Sequence, residues 1–403
     1  MESQFGTCLK RQNAVCIFLL GGFFPLQHKN LSGGNFMKKF LSVILSGVLA
    51  ASMLAGCGGS GASSAPASSA APAPAPASSA AASSEAPAAE PAETFEEVKL
   101  RVAYMPNMGS ASLLVTARDK GFFEKMGITV DLVEFQGGPA EISAMASGDI
   151  DIAQIGHGAH ALCAEGEAMI FEIDCTSLAD AVMGNKEKGV NSIADLKGKK
   201  VATTAGTSAE IILNLALASE GLSQSDLEIV EMDANGMVSA MISGNIDACA
   251  TWSPGTMTIT TAMGDKVVTL ATNNDYLDQA TFPSSMITTK KYADENRDIL
   301  VRFTRALQMA MDYRAANIDE IAKLVAKQCM VDEQTMLDCV GEGNWLTGEF
   351  VASAVKEGTI KSYYENQQKV FIDGGRLTEA VDVNNYVLFD VMEEAAEANA
   401  KAA

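Results

Sequence analysis

Positive charge is scarce in this chain. Against 50 Asp and Glu stand only 29 Lys and Arg over 403 residues, a formal net charge of −21. Residues 1–57 hold five of those cations (Lys10, Arg11, Lys29, Lys38, Lys39) and one acid (Glu2), so the remainder carries 24 basic and 49 acidic residues, about −25 net. A surface that acidic repels phosphate backbones and anionic headgroups, so no nucleic-acid partner is expected. Histidine is rarer still, with only His157 and His160 beyond residue 57. The eight cysteines include no Cys-x-x-Cys pair and match no zinc spacing, so neither a metal site nor a cofactor is expected. Setting aside Cys8, Cys16 and Cys57 leaves Cys163, Cys175, Cys249, Cys329 and Cys339, an odd number that excludes a full disulfide framework and reads as buried small hydrophobes.

Long apolar runs with stop-transfer flanks are also lacking. From Met37 the sequence MKKFLSVILSGVLAASMLAGC gives a basic start, an apolar stretch of about sixteen residues and small residues before a cysteine, a signal peptide rather than a membrane span. Leu54-Ala55-Gly56-Cys57 resembles the lipobox of bacterial lipoproteins. The resemblance implies cleavage before Cys57 and a diacylglycerol on its sulfur, placing the protein in the cell envelope on the outer face of the cytoplasmic membrane. Residues 1–36 add a second apolar stretch, Ala14 to Leu26, ahead of this complete signal at 37–56. They read as a start assigned too early. Residues 57–96 then form anchor and tether: Ala, Ser, Pro and Gly with a few late glutamates, too poor in large apolar side chains to build a core. As a flexible coil this segment would span about 35 Å.

Beyond it the pattern changes. LRVAYM, ITVDLVEF and DIDIAQIG read as strands and SASLLVTARDKG and PAEISAMASG as helices. The order βαβαβ predicts a mainly parallel sheet. It restarts near Lys199 with KKVATTAG, SAEIILNLALASEG, LEIVEMD, GMVSAMISG and NIDACATW. Ala144–Asp151 (AMASGDID) and Ala240–Asp247 (AMISGNID) echo each other 96 residues apart, through duplication or through convergence on one helix-to-strand turn. After about Lys290 helices predominate, as in 297–315, 318–328 and 385–400. The expected class is α/β, two parallel-sheet-based lobes with a helical C-terminal part.

In such sheets ligands bind beyond the carboxyl ends of strands, where helix N-termini present free N–H groups. Thr207 and Ser208 open a long helix after Gly206, and either contact a ligand or only cap the helix. Asn107 and Ser110 repeat that chemistry at the first helix. Gln136, Gly137 and Gly138 offer close backbone approach or a simple turn, and Asn235 stands in the matching loop of the second lobe. Gly156 and His157 follow the third strand; His157 is a polar ligand contact or a loop residue without a role, and no carboxylate or thiolate completes a metal set with His160. Trp252 and Phe282 are each either a wall of the cleft or core.

VAYMPNMGSASLLVTARDKGFFEKMGITVDLVEFQGG, SGDIDIAQIG, DLKGKKVATTAGTSAE and SGNIDACATWSP carry a further likeness. Over roughly residues 97–320 the chain resembles the solute-binding proteins of ABC importers for aliphatic sulfonates, taurine, nitrate and thiamine precursors. The resemblance implies a type II periplasmic-binding-protein fold, with lobe 1 at 97–184 plus 285–403, lobe 2 at 185–284 and hinge crossings near Val182–Lys186 and Pro283–Thr288. It implies ligand contacts by Asn107, Gly137, Gly156, Thr207, Ser208 and Trp252, and as partners a small solute, a permease and its ATPase, with the binding protein a monomer. No Arg or Lys stands in the predicted cleft loops, so an uncharged or zwitterionic heteroaromatic solute stays open beside a sulfonate or nitrate-like anion. A sensor that presents its solute to a membrane receptor would need the same clamp. A thiamine-pyrimidine biosynthetic enzyme would need the cysteine-rich iron motif of such relatives, which this chain lacks.

Overall fold

The computed structural model describes residues 94–402. The segment 1–36, the signal 37–56, Cys57 and all but the last residues of the tether lie outside the described residues.

The first βαβαβ unit folds as its pattern predicts. Val98–Tyr104 (β1) pairs in parallel with Ile128–Glu134 (β2) and with Ile152–Ile155 (β3). Helices Met108–Asp119 and Gly138–Ser147 link them. The next strands are Met169–Ser177 (β4) and Asp180–Asn185 (β5). The second unit supplies Lys200–Thr203 (β6), Glu228–Glu231 (β7) and Ala248–Trp252 (β8), with helices Ser208–Ser219 and Ala234–Ile242 between them. Val267–Thr272 (β9), Pro283–Thr288 (β10) and Gly343–Trp345 (β11) complete the set.

Two sheets result, ordered β11-β4-β10-β3-β1-β2 and β7-β6-β8-β5-β9. Each has three parallel strands followed by an antiparallel one, β10 beside β3 in the first and β5 beside β8 in the second. The two segments expected as hinge crossings are therefore strands. β5 bonds to β8 on one side and β9 on the other, so its backbone groups find partners only in the second sheet. The chain crosses at Leu178–Ala179, and Asp180–Gly184 leaves the first lobe to which the boundary at 184 assigned it. On the return, Pro283 and Ser284 pair with Thr176 and Cys175 of β4, which moves them from the second lobe into the first.

The echo at 144–151 and 240–247 has a shared structural cause. Gly148 and Gly244 both adopt positive φ (81° and 71°), where a Cβ would be strained. The aspartate that follows then pins the first strand of its own βαβαβ unit. Asp151 Oδ2 accepts from Arg101 N at 2.8 Å while Asp151 N donates to Arg101 O at 3.0 Å. Asp247 repeats both bonds with Lys200, each at 2.9 Å. These residues set strand register in each lobe and take no part in the cleft.

The C-terminal part is helical as expected, with Arg297–Ala316, Ile318–Cys329, Gly348–Lys356, Thr359–Asp373 and Phe389–Ala402 as its main helices. The short β11 is the exception, extending the first sheet at β4. All five cysteines named above are buried and unpaired. No helix among the described residues is long and apolar enough to cross a membrane.

Candidate functional site

The carboxyl ends of β1, β3, β6 and β8 converge on one cavity. It is lined from the first sheet by Met105, Asn107, Ser110, Gln154 and Gly156, from the second by Thr207, Ser208, Trp252 and Ser253, and from the C-terminal part by Cys339, Glu342 and Trp345. The cavity is small, about 50 Å³, where a single ordered water needs roughly 10–15 Å³. This is the crevice that the sheet topology predicts.

Seven of the sequence-chosen residues line it: Asn107, Ser110, Gly138, Gly156, Thr207, Ser208 and Trp252. Asn107 caps its helix, Oδ1 accepting from Ser110 N at 2.8 Å, and Ser110 Oγ in turn accepts from Met105 N at 2.9 Å. Thr207 spends its hydroxyl on Thr204 O at 2.7 Å instead of capping its helix. Ser208 Oγ donates to Asp180 Oδ1. Trp252 is buried at 9% exposure and still presents its ring to the cavity, so it serves as core and wall at once.

The other five stand outside the lining. His157 is 1% exposed, its Nε2 3.1 Å from Asp180 Oδ2 and its ring 4.9 Å from that of Phe282. The two rings pack beneath the site, joining the first lobe to Asp180 of the second. Gln136 and Asn235 meet each other across the rim, Asn235 Nδ2 donating to Gln136 Oε1 at 3.2 Å. Gly137 lies against Thr207, whose Cγ2 would stand 3.7 Å from a Cβ built on it. His160 is turned into the core, Nδ1 2.9 Å from Gln367 Oε1, and burial pushes its pKa down to about 3.

At Gly158 the lobes touch backbone to backbone. A Cβ there would fall 2.1 Å from the Thr207 carbonyl carbon, so only glycine permits the approach. Arg376, just after helix Thr359–Asp373, reaches the Gly206 turn and pairs with Glu210 at 2.9 Å. Glu210 Oε2 also accepts from Gly206 N at 2.8 Å.

Sequence reasoning missed the cavity's charged members. Asp180 opens β5 at 1% exposure, where Asn273 Nδ2 donates to its Oδ2 at 3.1 Å and Asn273 Oδ1 accepts from its backbone N–H at 2.8 Å. Glu342 accepts from Ser253 Oγ at 2.6 Å, another link between the lobes. Burial, with the Asp180 charge adding to it, pushes Glu342 up to about 7. Gln154 donates through Nε2 to Asp174 Oδ2 at 3.0 Å and Gly109 O at 3.3 Å, which leaves its Oε1 buried without a partner. The available signals were slight: an acid between apolar stretches in CTSLADAVM, and one between glycines beside a tryptophan in VGEGNW.

Residues 110–321 match the family described as NMT1/THI5 like. Over 295 residues the chain is 32% identical to a putative binding protein of Brucella abortus (strain 2308), spanning 73% of this chain and 92% of that one. The chain belongs to the NMT1/THI5-like family. A putative aliphatic sulfonates-binding protein of Bacillus subtilis (strain 168) is 27% identical over 296 residues, 72% of this chain and 77% of that one. Among solved structures, the alkanesulfonate-binding protein SsuA of Xanthomonas axonopodis pv. citri, bound to MOPS, superposes with a TM-score of 0.58 at 21% identity, covering 73% of this chain and 99% of that one. The fold is that of periplasmic binding proteins.

Proposed function

We propose that the protein is the extracytoplasmic receptor of an ABC importer, closing its two lobes on a small molecule and passing it to the permease without chemical change. The solute classes suggested by the relatives are a sulfonate, a nitrate-like anion or a pyrimidine of the thiamine-precursor type. The observation that carries the reading is the cavity itself, enclosed by two lobes that meet through His157–Asp180, Gln136–Asn235, Ser253–Glu342 and the bare backbone of Gly158. Links of this kind form and break as rigid lobes swing together, the hinge motion by which such receptors signal occupancy. The lipobox at Cys57 supports anchoring to the outer face of the membrane, with the folded part acting as a monomer on its tether.

A thermal-shift screen of the folded part against sulfonates, nitrate and pyrimidines tests the reading. A true solute at a hundredfold excess over its Kd stabilises the folded state by about 2.7 kcal/mol, a clear rise in melting temperature. A screen across all three classes that moves nothing would sink it.

A further inference from the structure

Resting on that reading of the cleft, we propose that its solute is a nitrogenous compound offering a cation or N–H donor to Glu342 and Gln154, and that sulfonates and nitrate are not its cargo. The lining contains two carboxylates, Asp180 and Glu342, and no Arg, Lys or His. Asp180 is engaged by His157, Ser208 and Asn273 behind the lining, but no cationic side chain faces the cavity itself, so the pair of carboxylates disfavours an anion there and favours a cation, most strongly where water is excluded.

An anion in such a cleft would depend on helix N-termini, and two of the three that open here are already served. Asn107 caps Met108–Asp119. At Ser208–Ser219 the first residue donates its hydroxyl to the Asp180 carboxylate, and Glu210 sits in the first turn. Protein carboxylates thus occupy the positive end of that helix. The third, Gly138–Ser147, starts without a side-chain cap and adjoins the cavity through Gly138, so it can take a neutral acceptor atom of the solute.

Gln154 adds evidence independent of charge. Its two acceptors, Gly109 O and Asp174 Oδ2, fix which way the amide faces and leave Oε1 as a buried acceptor with no donor. A group so placed costs stability until something donates to it. The arginines that come near, Arg376 at the Gly206 turn and Arg314 behind Trp345, are paired with Glu210 and Asp174 and stand outside the lining.

Isothermal titration of the folded part would use two sets of probes: acetamidine, methylguanidine, benzamidine and 4-aminopyrimidine against ethanesulfonate, butanesulfonate and nitrate. The expected result is a nitrogenous probe binding at least tenfold more tightly than every anion, and at least tenfold more weakly to Glu342→Gln. In the unsubstituted protein, affinity for an amidine should rise about tenfold from pH 6 to pH 8 as the Glu342 carboxyl ionises. This measurement needs no variant. The groups facing Glu342 in that window are Asp180, Ser253 and Cys339. An alkanesulfonate or nitrate binding as tightly as the best nitrogenous probe overturns the inference while leaving solute capture intact. Nitrogenous binding that ignores both the substitution and the pH also overturns it. Silence from every probe takes the receptor reading down with it.

Discussion

Glu172 lies fully buried on β4, with Ile173 N donating to Oε1 and Gln308 Nε2 to Oε2, each at 3.0 Å. Burial outweighs both bonds and pushes the carboxyl up to about 8, so the folded protein holds a proton there at neutral pH. A folded-state value above that of the unfolded chain favours folding at low pH, and the advantage is lost as pH rises toward about 8. Urea unfolding at pH 6 and pH 9 should show a smaller loss of stability across that interval for Glu172→Gln than for the unsubstituted protein. Two residues on, burial also pushes Asp174 up, against the pull of a guanidinium. Its Oδ1 lies 2.6 Å from Arg314 Nη1, both side chains are at 0% exposure, and Arg314 Nη2 donates to Asp174 O at 2.9 Å. The pair desolvates two charges, so removing one leaves the other stranded. Asp174→Asn or Arg314→Met should cost about 3–5 kcal/mol in urea unfolding, and a double replacement by apolar residues far less than the sum. Glu141 has neither remedy: both oxygens are buried without partners and burial holds its pKa well above the carboxylate range. Glu141→Met, similar in size and free of the polar atoms, should therefore raise the melting temperature.

Elements show where sequence reading succeeds. The three parallel strands of each lobe and the helices between them stand close to where their periodicity put them, because each alternates an apolar face with a turn that leaves little choice. The antiparallel additions β4, β5, β9 and β10 were not read as strands. β4, MIFEIDCTS, is buried almost throughout and carries Glu172 and Asp174 inside an apolar run, so neither alternation nor polarity marks it. β5 and β10 run next to the crossings, and a segment that links lobes looks like a linker until its hydrogen-bonding partners are known. For the same reason the cleft was half legible. Residues at helix starts announce themselves by type, whereas Asp180, Gln154 and Glu342 reach the cavity from positions that only the sheet order and C-terminal packing define. Gly158 is the element-scale case that can be tested. Glycine→Ala there places a methyl against the Thr207 backbone, and the lobes must stand apart. Gly158→Ala should bind solute at least tenfold more weakly and show a larger radius of gyration by small-angle scattering, with the far-ultraviolet circular dichroism of the unsubstituted protein.

At the scale of the whole molecule, surplus negative charge and the proposed lipid anchor make complementary demands. An acidic body is repelled by an anionic membrane surface and stays in solution above it, so on the proposed reading retention near a permease falls to lipid carried on Cys57. Cys57→Ala should move the protein from the membrane fraction to the medium or periplasm while leaving solute affinity unchanged, as fractionation and titration would show.

The strand order also carries a consequence in time. The second sheet is drawn from one unbroken stretch, ending with β9 at Thr272, whereas β3 and β4 of the first are joined only through β10. A chain that emerges from its N-terminus therefore holds the start of the first lobe in two fragments with open edges while the second lobe already has all its strands. In translation-arrested chains of increasing length, protease resistance should appear in 180–272 before it appears in 98–177. The lobe that begins later is finished earlier, and the first waits for the C-terminal part to close it.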